Sequence, residues 1–198
     1  MASGFKRVTA LALVLSASLA LAACSTNDTL AQQYRSGDSK NYIAGDGTVT
    51  EFAKGNRPVG GEWVGATEAG QLLTNKDLIG KTVVLNFWYA GCAPCRSEIK
   101  DLVKLQDEFK ADGVQFVGVN VRDTAATALA FDRAFKVNFP SVMDNDTGAV
   151  VLAYTGVVTP QAVPTTLVLD TSGKVTARIL GRIDPSTLKS LIITAVGK

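Results

Sequence analysis

The chain has 198 residues, with 20 Lys and Arg against 18 Asp and Glu, three Cys and no His. A near-neutral balance without a basic run excludes a nucleic-acid footprint. The missing histidine removes any Cys–His dyad and any histidine metal ligand, and three cysteines are too few for a disulfide framework.

The first residues read as an address rather than a fold. Lys6 and Arg7 precede an uncharged apolar run, Val8 to Ala20, and Leu21-Ala22-Ala23-Cys24 matches the bacterial lipoprotein cleavage box. Residues 1–23 are therefore expected to be a lipoprotein signal peptide, cut before Cys24, whose sulfur and amine then carry lipid. An ordinary secretory signal or an uncleaved anchor is the alternative, but the apolar run is short for a bilayer span. The leader takes Lys6 and Arg7 and no acid, so residues 24–198 carry 18 charges of each sign. That leaves about 175 residues, enough for one domain with a sound core. The expected location is the extracytoplasmic face of the cell membrane, with the bilayer held through Cys24.

Residues 24–40 are polar and read as a flexible tether. Residues 41–198 read as one domain. Asn41 to Phe52 suggests a small hairpin around Gly45-Asp46-Gly47. Trp63-Val64 and Leu72-Leu73 form a strand pair around Ala69-Gly70. Asn75 is placed to cap a single helical turn, Lys76 to Ile79, closed by Gly80. Val83 to Trp88 is a continuous apolar run with one polar interruption, Asn86, as expected of a strand covered on both faces.

That strand runs into Cys92-Ala93-Pro94-Cys95, which opens a helix. Gly91 gives the tight exit, and Pro94 sits in the first turn, where its missing N–H costs nothing. The helix reaches about Asp112, with Ile99, Leu102, Val103, Gln106 and Phe109 on one face, and Gly113 stops it. Val114 to Val121 is a second buried strand. Asp123-Thr124 begins a helix with Ala128, Leu129, Phe131, Ala134 and Phe135 inward. Val137 to Asp144 is a connecting segment, and Met143 is assigned to the core. Thr147 to Tyr154 is a short helix. Thr165 to Asp170 is a strand, Ser172-Gly173 turns it, and Val175 to Leu180 returns antiparallel. Asp184-Pro185 starts the last helix, which runs to Val196.

Cys92 stands at a helix N-terminus, where unpaired N–H groups and the helix dipole favour negative charge. A thiolate is stabilised there, which makes its sulfur a nucleophile near neutral pH. Cys95 follows one turn later, within reach of a mixed disulfide on Cys92. Half a zinc site is the competing reading, but no second Cys or His pair exists to complete four ligands. A purely structural link is also weak, since a two-residue loop removes little unfolded-state entropy.

The segment Asn86-Phe-Trp-Tyr-Ala-Gly-Cys-Ala-Pro-Cys-Arg-Ser-Glu98 resembles the active site of the TlpA/ResA-like family of membrane-anchored thiol–disulfide oxidoreductases. The resemblance implies an α/β thioredoxin fold: a central mixed sheet, helices on both faces, an N-terminal β-hairpin extension and a helical insertion. It implies that Cys92 and Cys95 are catalytic, acting as a redox-active disulfide with no other cofactor and no metal. It also places Val163-Pro164 as the cis-proline loop facing the Cys-x-x-Cys turn, with the Val163 backbone and Trp88 binding substrate; plain core packing is the other reading of Trp88. Asn86 stands where cytosolic thioredoxins carry a buried acid, which leaves proton transfer at Cys95 open. Glu98 is near enough to serve, but its expected place is the solvated helix surface. Lys100 departs from the helix-kinking proline usual in the family.

The implied function is reduction of disulfides in secreted or membrane-attached proteins with cysteine pairs, such as apocytochrome c during cytochrome c maturation. Electrons would come from a membrane thiol-reductant transporter. An oxidase that forms disulfides in secreted proteins uses the same residues in reverse. A metal-binding assembly lipoprotein is more remote, since such proteins on this fold use a wider cysteine spacing plus histidine. A peroxiredoxin needs Pro and Thr upstream of its cysteine, where this chain has Leu85 and Tyr89.

Overall fold

The structure, a computed structural model, describes residues 47–159 and 162–197. The expected signal peptide, Cys24, the tether and the first half of the Asn41–Phe52 hairpin lie outside the described residues.

Among the described residues, eight strands and four α-helices follow in order: β1 Val49–Glu51, β2 Val64–Ala66, β3 Leu72–Thr74, β4 Val83–Trp88, α1 Ala93–Phe109, β5 Gln115–Asn120, α2 Ala125–Phe135, β6 Ser141–Met143, α3 Ala149–Ala153, β7 Thr165–Leu169, β8 Val175–Leu180 and α4 Pro185–Val196. Six strands form one sheet in the order β1-β8-β7-β4-β5-β6. At its centre β4 pairs parallel with β5 and antiparallel with β7. All six residues of β4 are buried, as its β-branched and aromatic content suits a central strand.

Side chains alternate across the sheet. Val84 and Trp88 join the apolar cluster that α1, α2 and α4 cover through Leu102, Phe131 and Leu188. Val83, Leu85 and Phe87 join the opposite cluster, closed by Trp63, Val150 and Tyr154. Asn86 therefore points to the α1 side, and that parity matters below. β2 and β3 pair as expected, with Val64 opposite Thr74. The hairpin lies against β6: Thr67 bridges Val142, and Glu68 N donates to Ser141 O at 3.0 Å. Asp184 caps α4 by accepting from Thr187 N at 2.8 Å.

Val49–Glu51, the described end of the expected Asn41–Phe52 hairpin, pairs with β8, Val49 opposite Ile179, and so joins the main sheet. Three local expectations need correction. The turn at Asn75–Leu78 is capped by Thr74, whose hydroxyl accepts from Asp77 N while Asp77 accepts from Thr74 N; Asn75 instead accepts from Trp63 N. The connecting segment holds a strand, β6, parallel to β5; its three residues are too few to show a period. In α2, Ala128 and Phe131 are buried but Ala134 is exposed. A helix presents one stripe to a flat sheet, so Ala134 falls on its flank.

Candidate active site

The end of β4 and the start of α1 place the two cysteines. Cys92 is the N-cap of α1: its Sγ accepts from Cys95 N at 3.2 Å, and its carbonyl accepts the first helical bond from Arg96 N at 3.1 Å. Pro94 lies in the first turn. Cys92 and Cys95 form a disulfide, with S–S 2.06 Å and Cα–Cα 5.3 Å. In this oxidised form Cys92 is fully buried and Cys95 is 2% exposed. The sequence implies a backbone that turns N–H groups toward the first sulfur, and the Cys95 N–H does so.

The Val163–Pro164 peptide is cis. Val163 is 1% exposed, and its carbonyl oxygen lies 3.9 Å from Cys92 Sγ. The structure thus brings Cys92, Cys95, Val163 and Pro164 to one place. Trp88 does not present a substrate surface. It is 4% exposed, packs on Phe131 at 4.5 Å between ring centroids, and donates from Nε1 to Ser141 Oγ at 3.1 Å. The core-packing reading of Trp88 is the one its position matches.

Glu98 overturns the expectation of a solvated helix surface, for it is fully buried. One oxygen accepts from Asn86 Nδ2 at 2.9 Å, the other from Ile183 N at 2.8 Å. Asn86 Nδ2 also donates to Thr166 Oγ1 at 3.1 Å. Burial pushes the Glu98 carboxyl up to about 7, against the pull of the Ile183 N–H, the Asn86 amide and the Arg182 charge. A buried carboxyl that is part ionised near neutral pH therefore lies one helical turn from Cys95. The signal for its burial is in the spacing: Glu98, Leu102 and Gln106 follow at four-residue steps, and all three are buried.

The other side of the turn is pinned from β5. Asp123 Oδ2 accepts from Ala90 N at 2.6 Å and from Asn120 Nδ2 at 2.8 Å. Two guanidinium groups flank it. Arg96 donates to Ala90 O at 3.3 Å and lies 5.0 Å above the Phe135 ring, and Arg122 lies 4.5 Å above the Tyr89 ring. Sequence reading takes Asp123 only as a helix start, whereas Thr124 is the N-cap, and singles out neither arginine, because each is an ordinary loop or surface residue until the turn closes. Among the described residues, no group of three or more His, Cys, Asp or Glu is placed to hold a metal.

A mixed sheet with a Cys-x-x-Cys disulfide at a helix start and a cis-proline beside it defines a thioredoxin-fold protein. The AhpC/TSA family pattern matches residues 61–178, and the chain belongs to that family. It is 36% identical over 119 residues to the thiol-disulfide oxidoreductase ResA of Bacillus subtilis (strain 168), covering 60% of this chain and 64% of that protein. The match thus spans just under two thirds of that relative's length. Among solved structures it is similar to a secreted thiol-disulfide isomerase from Corynebacterium glutamicum, with TM-score 0.69, 27% identity, and coverage of 80% of this chain and 98% of the other. A DsbF homologue from Corynebacterium diphtheriae gives TM-score 0.66 and 31% identity, covering 76% of this chain and 94% of the other. The resemblance drawn from the active-site segment is borne out by these relatives.

Proposed function

We propose that this protein is a thiol–disulfide oxidoreductase that reduces disulfides in extracytoplasmic proteins through Cys92 and Cys95. The observation that carries the reading is the Cys92–Cys95 disulfide at the N-cap of α1, with the Val163 carbonyl beside it. In the reduced protein, the Cys92 thiolate attacks a client disulfide and displaces one client sulfur as thiolate. The Cys95 thiol then gives up its proton and attacks Cys92 Sγ, releasing the second client thiolate. Two electrons have passed to the client, and the cysteine pair is left as the disulfide. Glu98 is the group suited to take the Cys95 proton: it is close in the helix, dry, and near its titration midpoint at neutral pH. The exposed strand-like backbone of a client would pair beside Val163, an added-strand mode of binding. The cysteine pair is the whole redox device, and no further cofactor is needed.

The placement belongs to the same proposal. Residues 1–23 are removed, Cys24 is lipidated, and residues 24–40 tether the domain to the extracytoplasmic face of the membrane. Several fatty chains, each worth about 0.8 kcal/mol per buried CH2, hold such an anchor firmly. A membrane thiol-reductant transporter recharges the pair, and clients with cysteine pairs, such as apocytochrome c, consume the electrons.

Trapping tests the reading. A Cys95→Ser protein should accumulate covalent client complexes through Cys92, visible on non-reducing gels and lost with dithiothreitol. Equal trapping by Cys92→Ser, or none by either variant, overturns it. The direction is tested by the reduction potential: a value near the roughly −120 mV of DsbA would remove the reductase role in favour of the oxidase.

A further inference from the structure

Asp123 is the charged group most firmly fixed against the Cys92 turn from outside α1. Its Oδ2 takes two hydrogen bonds, from Ala90 N at 2.6 Å and Asn120 Nδ2 at 2.8 Å. Asn120 in turn holds the loop, accepting from Arg122 N at 3.1 Å and Asp123 N at 2.8 Å through its own Oδ1. Asn120 is fully buried at the end of β5, so the carboxylate stands on the sheet rather than on a free loop. Ala90 is two residues before Cys92, and Cys92 N donates to Tyr89 O at 3.1 Å. The same short turn therefore carries both the first cysteine and a fixed negative charge.

Resting on the oxidoreductase reading above, we propose that Asp123 is a positioning residue with two effects. It holds the Cys92 turn through Ala90, and its charge biases the Cys92–Cys95 couple toward the disulfide, making the protein a stronger reductant. The sign follows from the two end states. The disulfide is neutral, whereas the reduced pair carries negative charge on Cys92 once the thiol ionises. A carboxylate fixed nearby disfavours only the second. The helix N-terminus and the guanidinium groups of Arg96 and Arg122 act the other way, and Glu98 lies on the inner side of α1. Asp123 offsets the cationic groups without touching either sulfur.

The test is equilibration with glutathione. One Cys92–Cys95 disulfide and two glutathione thiols give the protein dithiol and one glutathione disulfide, moving two electrons and two protons to the protein. Asp123→Asn keeps an oxygen that accepts from Ala90 N and Asn120 Nδ2 but removes the charge. The equilibrium constant toward the dithiol should rise roughly three- to tenfold at low salt, and the rise should shrink in high salt. Alkylation of Cys92 by iodoacetamide at mildly acid pH should quicken in parallel. Asp123→Ala should show the same equilibrium shift together with slower client reduction, because the turn is no longer held. An Asn variant with the wild-type equilibrium constant overturns the charge effect, and an Ala variant with the wild-type reduction rate overturns the positioning effect. If the Ala variant does not fold, the Asn variant decides alone. A wild-type protein that fails to exchange with glutathione would sink the oxidoreductase reading itself and this inference with it. A wild type that exchanges beside an unshifted Asn variant confines the failure to Asp123.

Discussion

Replacing Glu98 by Gln should change how stability depends on pH. The folded-state value near 7 lies above the ordinary 4.5 for glutamate. The native protein thus holds a proton that the unfolded chain releases, so folding is favoured at low pH. This share of stability is full below the unfolded value and is lost as pH rises through about 7. At about 1.4 kcal/mol per unit, the separation amounts to roughly 3 kcal/mol, of which about 2.5 kcal/mol should disappear between about pH 5 and about pH 8. Asp132 is raised to about 6 by burial and the nearby Glu68 charge. It acts in the same direction but is present in both proteins and cancels in the difference. The amide introduced by Glu98→Gln would also set an N–H against one of the two donors, Asn86 Nδ2 and Ile183 N, at a cost of about 1–3 kcal/mol. That cost is independent of pH, so the slopes decide the matter and the offset does not. Urea unfolding of the oxidised domain across this pH range supplies both curves. Wild type should lose stability toward alkaline pH and Glu98→Gln much less. Parallel curves would refute a buried, raised carboxyl at this position.

The same variant should slow client release, seen as persistent mixed disulfide in single-turnover mixing, while capture by Cys92 proceeds. Asn86→Leu should remove a donor to Glu98 and push the carboxyl further up, moving the acid limb of the activity profile to higher pH; an unmoved profile would separate the two residues. Gly118→Ala would bring a methyl to within 2.7 Å of Trp88 Nε1 and against Ser141 Oγ, and should destabilise by about 1–3 kcal/mol in denaturant. Thr74→Ala should cost about 1 kcal/mol through loss of the reciprocal cap with Asp77, leaving redox exchange unchanged.

Patterns longer than a helical turn were legible from residues alone. β4 announced itself by six apolar or buried positions, and α1 by its stripe and the glycine that ends it. The Cys-x-x-Cys placement followed because Pro94 fixes the backbone at the first turn of α1. What escaped were the features set by parity and by distant partners. Asn86 faces α1 because strand residues alternate, and only then does it meet Glu98. Reading Glu98 by its charge put it in solvent, whereas its phase with Leu102 and Gln106 put it inside. β6 is three residues long and defined by its neighbour β5. Asp123 became visible as a support for the turn only when the chain end of β5 met that of β4.

The contact between Glu68 and Ser141 has a bearing on the clients proposed above. Glu68 N donates to Ser141 O, and Ser141 N donates back to the Glu68 carboxylate at 2.7 Å, so the outer ladder of β6 is already occupied. Among the described residues, the opposite border is β1, three residues long. Incompletely folded polypeptides adhere to bare sheet borders. If the proposed function holds and such chains are its clients, one clasped border and one brief one would keep this protein from becoming a template for their aggregation.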